Sequence, residues 1–209
     1  MKLTFLGTRG EIEARTRRHR MHSSLLVSYR EGNVMIDCGL DWLGKFERLR
    51  PSAIILTHAH PDHAWGLKNG APCPVHAPEK AWQSLKNCRV EDRHLIKERV
   101  ATKICGITFE AFPVEHSILA PAVAYRISAG RACIFYGPDL LFIHDRSAAL
   151  THVQSYIGDG ATMTRSCSAG RHRRPSPRWR SGSAPRRRGR RRSSNRSLCT
   201  SAVTPSRRS

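Results

Sequence analysis

The chain has 209 residues, and its 36 lysines and arginines against 16 acidic residues give a formal net charge of +20. This length suits one domain with at most an appendage. Only 39% of the residues are hydrophobic, and no run approaches the roughly 18 apolar residues that a membrane-spanning helix needs. The apolar stretch at the amino terminus is also too short for the core of a signal peptide. The composition therefore predicts a cytoplasmic protein without a membrane partner.

The predicted elements are mostly strands, with a few short helices between them. Strands are predicted at residues 2–6, 24–29, 33–38, 53–56, 104–112, 122–128, 131–136 and 153–157, and helices at residues 42–49, 77–85 and 145–151. The strand at 53–56 is apolar without alternation, as expected of a strand that is covered on both faces. Strands with interspersed helices favour a layered α/β fold.

A cluster of potential metal ligands follows that apolar strand directly. Its pattern is His58-x-His60-x-Asp62-His63. Residues two apart on an extended segment point to the same side, so His58 and His60 can share one ion, and Asp62 and His63 can face a second ion beside it. Pro61 excludes the helical geometry of the His-Glu-x-x-His proteases. Neutral imidazoles and a carboxylate suit zinc, and equally manganese or iron.

The position of this motif favours a functional site over a solvated polar loop. A buried strand aims the motif at the carboxyl edge of a sheet, where ligands usually bind. Four other histidines lie outside the motif and are predicted to be surface or packing residues: His76, His94, His144 and His152.

Further segments of residues 1–164 accompany the motif. They are Leu3–Thr8, Met35–Gly39, Pro113–Ser117 and Tyr136–Asp139. With the histidine motif, they resemble the metallo-β-lactamase superfamily of binuclear metallohydrolases. The resemblance implies an αββα four-layer sandwich that is incomplete at its carboxyl end, and two divalent metal ions, with zinc as the first expectation.

The resemblance also implies the remaining ligands. His116 corresponds to the strand-borne histidine that completes the first metal site with His58 and His60. Asp139 corresponds to the bridging carboxylate that joins the second site. The last histidine ligand of the family has no clear counterpart here, because His172 lies among arginines that disfavour metal binding.

A pair of divalent ions that activates one water molecule makes hydrolysis the expected reaction. Asp62 is predicted to be the general base as well as a ligand. The chain is most similar to the phosphodiesterase branch, which includes tRNA 3′-processing endonucleases and cyclic-phosphate phosphodiesterases. The tRNA enzymes insert an RNA-gripping arm between a tyrosine and the bridging aspartate, but only 14 positions separate Tyr125 from Asp139. A small phosphodiester is therefore the expected substrate, and another ester or a lactone is the alternative.

Two other features leave alternatives open. The arginine-rich segment 15–20 either holds phosphate oxygens or is a solvated loop. Glu115 either orients the neighbouring imidazole of His116 or faces water.

Residues 165–209 differ in composition from the rest of the chain. They contain 15 of the 29 arginines but no lysine and no acidic residue, so residues 1–164 keep 21 cations against 16 acids, a net charge of +5. We therefore expect a hydrolase domain at 1–164 and a disordered tail at 165–209. The tail either binds nucleic acid without sequence preference, on an inactive scaffold, or arises from a frame slip near Thr164, since arginine, proline, alanine and glycine share GC-rich codons.

Overall fold

Two six-stranded sheets form the centre of the structure, a computed structural model that describes residues 1–17, 19–117 and 121–158. The strands are β1 (Lys2–Gly7), β2 (Ser24–Tyr29), β3 (Gly32–Ile36), β4 (Ala53–Ile55), β5 (Val75–Pro78), β6 (Arg93–Ile96), β7 (Ala101–Ile104), β8 (Ile107–Glu115), β9 (Ala122–Ala129), β10 (Ala132–Gly137), β11 (Phe142–Ile143) and β12 (Ser155–Gly158). The α-helices are α1 (Pro61–Ala64), α2 (Glu79–Ser84) and α3 (Arg146–Leu150), and 3₁₀ helices cover Leu40–Trp42, Phe46–Arg48 and Trp65–Asn69.

The first sheet follows the chain from β1 to β6. Its first three strands are antiparallel neighbours, and β3, β4, β5 and β6 run parallel. The second sheet has the order β11-β8-β9-β10-β12, and β7 also pairs with β8. In it β8, β9 and β10 form an antiparallel meander, and β12 pairs with β10 in parallel.

Apolar alternation along the strands fills the space between the two sheets. Leu25 and Val27 of β2 lie in one buried cluster with Phe109 of β8 and with Tyr125 and Ile127 of β9. Because successive side chains on a strand point to opposite faces, the residues between these face outward from the sandwich. The central core is therefore built from both sheets.

Two further clusters cover the outer faces of the sheets. Met35 and Ile54, from the outer face of the first sheet, pack with Trp42 and Phe46 of the 3₁₀ helices. On the other side, the outer face of the second sheet packs against α3 through a cluster that includes Ala149. The order helix, sheet, sheet, helix confirms the predicted αββα arrangement.

Several predicted element bounds are wrong. The single helix expected at 42–49 is two 3₁₀ helices, because Gly44 between them has a positive φ of 69° that interrupts the helical backbone. The helix expected at 77–85 begins only at Glu79, because β5 continues to Pro78. The strands β5, β6, β7 and β11 are short and were not predicted as separate elements.

Within the ranges that the structure describes, no helix is long and apolar enough to cross a membrane. The predicted boundary at residue 164, the tail at 165–209 and His172 all lie outside these ranges.

Candidate metal centre

The candidate ligands lie where three strands from both sheets end. The histidine motif follows β4, His116 follows β8 directly, and Asp139 follows β10 after one intervening residue. The Val123 amide at the start of β9 donates to the Thr57 carbonyl over 3.0 Å. That hydrogen bond joins the second sheet to the start of the motif, so the strand ends of both sheets meet at one edge.

Pro61 is the first residue of the short helix α1. A proline is tolerated in the first helical turn because the amide that it lacks has no partner there. His60 is extended, with φ −61° and ψ 154°, and its carbonyl accepts from the amides of His63 and Ala64. The excluded geometry is a helix that carries both histidines of a His-Glu-x-x-His site, and His58 and His60 indeed precede α1, which positions Asp62 and His63.

A close backbone contact holds α1 against the exit of β3. The Cys38 amide donates to the His63 carbonyl over 2.6 Å, and the Cys38 carbonyl accepts from the Gly66 amide over 2.8 Å. A Cβ added at Gly39 would lie 2.0 Å from the Asp62 carbonyl oxygen. Only glycine permits this approach, so the sequence Asp37-Cys38-Gly39 helps to fix the motif in place.

The first donor group contains His58, His60, His116 and Asp139. The His60 Nδ1 atom lies 3.0 Å from His58 Nε2 and 3.1 Å from His116 Nε2. The Asp139 Oδ2 atom lies 3.4 Å from His116 Nε2 and 3.8 Å from His58 Nε2. Ligands at about 2.0–2.1 Å from a tetrahedral zinc ion are roughly 3.4 Å apart, so these four atoms have the spacing of a coordination shell.

The second donor group contains Asp62, His63 and Asp139. The His63 Nε2 atom lies 3.2 Å from Asp139 Oδ2 and 3.4 Å from Asp62 Oδ2. Among the described residues, Asp62 Oδ1 and His63 Nε2 are buried without a hydrogen-bond partner. Buried polar atoms are rarely left without a partner. These two atoms are therefore suited to be ligands of a metal ion. Asp139 belongs to both groups and occupies the place of a bridging ligand.

Asp37 is a buried carboxylate at the end of β3 that sequence reasoning did not identify as a site residue. Its Oδ1 atom accepts from the Thr57 amide over 2.8 Å, and its Oδ2 atom accepts from the Thr57 hydroxyl over 2.7 Å. The same Oδ2 atom lies 2.8 Å from His63 Nδ1. A carboxylate only accepts hydrogen bonds, so His63 Nδ1 carries a proton, and once the imidazole is neutral its lone pair lies on Nε2, toward the second donor group.

The Thr57 hydroxyl extends this control to the first donor group. Because the hydroxyl gives its proton to Asp37, it accepts from His58 Nδ1, which lies 3.0 Å away. His58 Nε2 is then also a free acceptor that faces His60. Asp37 therefore fixes the tautomer of one histidine in each group, directly for His63 and through Thr57 for His58.

The electrostatic environment separates these two histidines. Burial, together with the charges of three neighbouring imidazoles, lowers the pKa of His58 well below its ordinary value. His58 is thus neutral and ready to act as a ligand. Burial also opposes the charged form of His63, but the surrounding carboxylates of Asp37, Asp139 and Asp62 raise its pKa well above the ordinary value. A metal ion at the second group must therefore displace a proton from His63.

The structure brings together all six residues that the sequence analysis placed at the metal site. It adds Asp37 and Thr57, for which a signal was present: both lie in segments that carry the resemblance, Met35–Gly39 and the stretch before His58. Glu115 has an exposed side chain, and its carbonyl accepts from the Leu141 amide over 2.7 Å.

His76 and His94 lie outside both donor groups and stack on the neighbouring strands β5 and β6, with ring centroids 4.6 Å apart. Burial, and next the His94 charge, lower the pKa of His76 to about 4. His76 takes up a proton less readily in the folded state than in the unfolded state. The folded protein therefore loses stability as pH falls from about 6.5 toward 4. We expect His76→Gln to lose less Tm than wild type between pH 7 and pH 5 in thermal melts. Equal losses would contradict this origin of the pH dependence.

Comparisons with known proteins agree with this arrangement. A family model described as the beta-lactamase superfamily domain matches residues 32–168. No curated protein matches the chain significantly in sequence.

Solved structures share the fold. The metallo-beta-lactamase fold protein YhfI from Bacillus subtilis has a TM-score of 0.51 and 15% sequence identity, over 64% of this chain and 61% of that one. A diphosphatase from the PhnP family has a TM-score of 0.50 and 27% identity, over 63% of each chain. This chain thus spans less than two thirds of either neighbour. Since the family model covers more than half of the sequence, and the fold and the donor groups agree with it, the chain belongs to the metallo-β-lactamase superfamily.

Proposed function

We propose that the chain is a metal-dependent hydrolase that acts on a small phosphodiester through two divalent ions. The observation that carries this proposal is the shared position of Asp139 in two adjacent donor groups. His58, His60 and His116 would hold the first ion with Asp139, and the pair in α1 would hold the second. Their mixed nitrogen and oxygen donors suit zinc, manganese or iron.

When bound, a pair of divalent ions lowers the pKa of water toward about 7 and neutralises charge on a phosphoryl group. Asp62 supplies the base. Burial disfavours its charged form, but the adjacent His63 imidazole outweighs burial and lowers the pKa of Asp62 below its ordinary value. The carboxylate is therefore ionised at neutral pH and can accept a proton from water.

Two observations support a small phosphodiester. The PhnP-family neighbour, at 27% identity, is a diphosphatase, and phosphate esters are therefore the class of substrate to test first. Residues 126–137, which precede Pro138 and Asp139, belong to the β9–β10 hairpin, in which Tyr125 pairs with Tyr136. That tight connection leaves no chain for an RNA-gripping arm, which argues against tRNA as the substrate.

Apolar side chains near the centre favour one alternative, a carboxylic ester or lactone. Leu141 and Phe142 are 60% and 54% exposed, and Phe142 pairs with Glu115, the residue before His116. An apolar leaving group would pack on these two side chains.

Nucleic-acid binding by residues 165–209 remains a prediction for a part of the chain outside the described ranges.

The direct test is hydrolysis by the metal-loaded chain, with His60→Ala as the inactive variant and His144→Ala as a control histidine outside both donor groups. We expect turnover of bis-p-nitrophenyl phosphate that His60→Ala reduces by about 10²- to 10³-fold, and that His144→Ala leaves unchanged. Turnover of a simple γ-lactone or p-nitrophenyl acetate without turnover of the diester would favour the alternative. Retained diesterase activity in His60→Ala would contradict the proposed site.

A further inference from the structure

The loop between β1 and β2 lies against the candidate metal centre at Gly10. A Cβ added at Gly10 would have one neighbour within 4 Å among the described residues, Asp62 Oδ2 at 3.8 Å. The loop returns to the first sheet at His22, which forms a β-bridge with Arg9. The missing side chain at Gly10 therefore leaves space beside the carboxylate that serves as the general base in the proposed function.

A buried cluster of Arg9, His22 and Asp41 fixes both ends of this loop. Arg9 is 5% exposed and His22 is 8% exposed. The Arg9 guanidinium binds the Asp41 carboxylate and lies 2.6 Å from His22 Nε2. The His22 amide donates to Asp41 Oδ2 over 3.0 Å. Burying charged groups is costly unless they are paired, so this cluster favours a single position of the loop.

Backbone hydrogen bonds close the base of the loop beside the cluster. The Arg9 amide donates to the Met21 carbonyl, and the Ser23 amide donates to the Arg9 carbonyl, both over 3.0 Å. Gly10 follows Arg9 directly, so its backbone is held in place from both strands of the loop base. At the rim of the loop, Arg15 is 58% exposed and binds Asp41 Oδ1 at 2.7 Å, and Glu11 and Glu13 are exposed beside it.

We propose that Gly10 is a specificity-determining position, at which the backbone forms a wall beside Asp62 and the missing side chain admits the reacting phosphoryl group. The inference rests on the proposed function, because it places the substrate next to the general base. The Arg9–His22–Asp41 cluster is the positioning device that sets the distance between this wall and Asp62.

The test compares wild type, Gly10→Ala and Gly10→Val with Gly106→Ala. At Gly106 an added Cβ meets no described residue within 4 Å, but φ is +79°, so the control loses stability without approaching the site. We would measure metal content, Tm and the Kd of inorganic phosphate for the metal-loaded chain. KM and kcat are measured with bis-p-nitrophenyl phosphate. We expect phosphate affinity to fall about tenfold in Gly10→Ala and about 100-fold in Gly10→Val, because the added side chain fills space beside Asp62 and displaces the ligand.

If the Gly10 backbone selects the ligand, Gly10→Val keeps the metal content and the Tm of wild type. The Gly106→Ala control keeps phosphate affinity and has a lower Tm. Wild-type phosphate affinity in Gly10→Val would overturn the inference and leave the proposed function standing. A wild-type chain that binds no divalent metal would overturn both.

Discussion

Replacing Asp139 with asparagine is expected to remove about one metal ion per chain and to reduce hydrolysis by roughly 10³-fold. The Oδ2 atom of Asp139 lies 3.2 Å from His63 Nε2 and 3.4 Å from His116 Nε2, so it contributes charge to both donor groups at once. Asparagine keeps the shape of the side chain but loses that negative charge. The measurements are metal content after dialysis and the turnover of bis-p-nitrophenyl phosphate.

Asp145→Asn is the matched control for this variant. Asp145 is a nearby carboxylate, 48% exposed, that pairs with Arg99 at 2.7 Å instead of facing the site. We expect Asp145→Asn to keep both metal ions and full turnover. Equal metal content in the Asp139 variant and in this control would contradict the bridging role of Asp139.

Replacing Asp37 with asparagine is expected to weaken metal binding by about 10- to 100-fold, although Asp37 faces neither ion. An asparagine amide opposite His63 Nδ1 would donate to that nitrogen. The His63 proton would then move to Nε2, the atom that faces Asp139. Loss of a buried charged hydrogen-bond acceptor should also lower the free energy of unfolding by about 2–4 kcal/mol. Zinc competition with a chelator and denaturant melts measure the two effects.

Thr57→Val separates the two branches of this hydrogen-bond network. It removes the link from Asp37 to His58 and leaves the contact between Asp37 and His63 intact. We therefore expect Thr57→Val to weaken the binding of one ion and Asp37→Asn to weaken the binding of both. Identical zinc titrations for the two variants would show that Asp37 does not control the second donor group separately.

The sequence was sufficient to predict the centre of the site because its main motif is local. His58, His60, Asp62 and His63 lie within six positions that directly follow a buried strand. His116 and Asp139 could be predicted only from the family resemblance, since one histidine or aspartate after a strand has no distinctive local pattern.

Residues whose role depends on distant contacts could not be predicted in the same way. Asp37 acts on His63, 26 positions away, and Arg9 binds Asp41, 32 positions away. Such pairings are set by how the sheets and loops pack, and periodicity carries no signal for them. The helix predicted at 42–49 was wrong for a local reason: its apolar spacing suited a helix, but the left-handed backbone at Gly44 divides it.

Metal content tests most directly whether two divalent ions are held by the six residues of the two donor groups, His58, His60, Asp62, His63, His116 and Asp139. The purified full chain is stripped with a chelator, reloaded with zinc or manganese, dialysed and measured by elemental analysis beside His60→Ala. We expect about two ions per wild-type chain and fewer in the variant. A reloaded wild-type chain with no bound ion, or with the same metal content as His60→Ala, would contradict it.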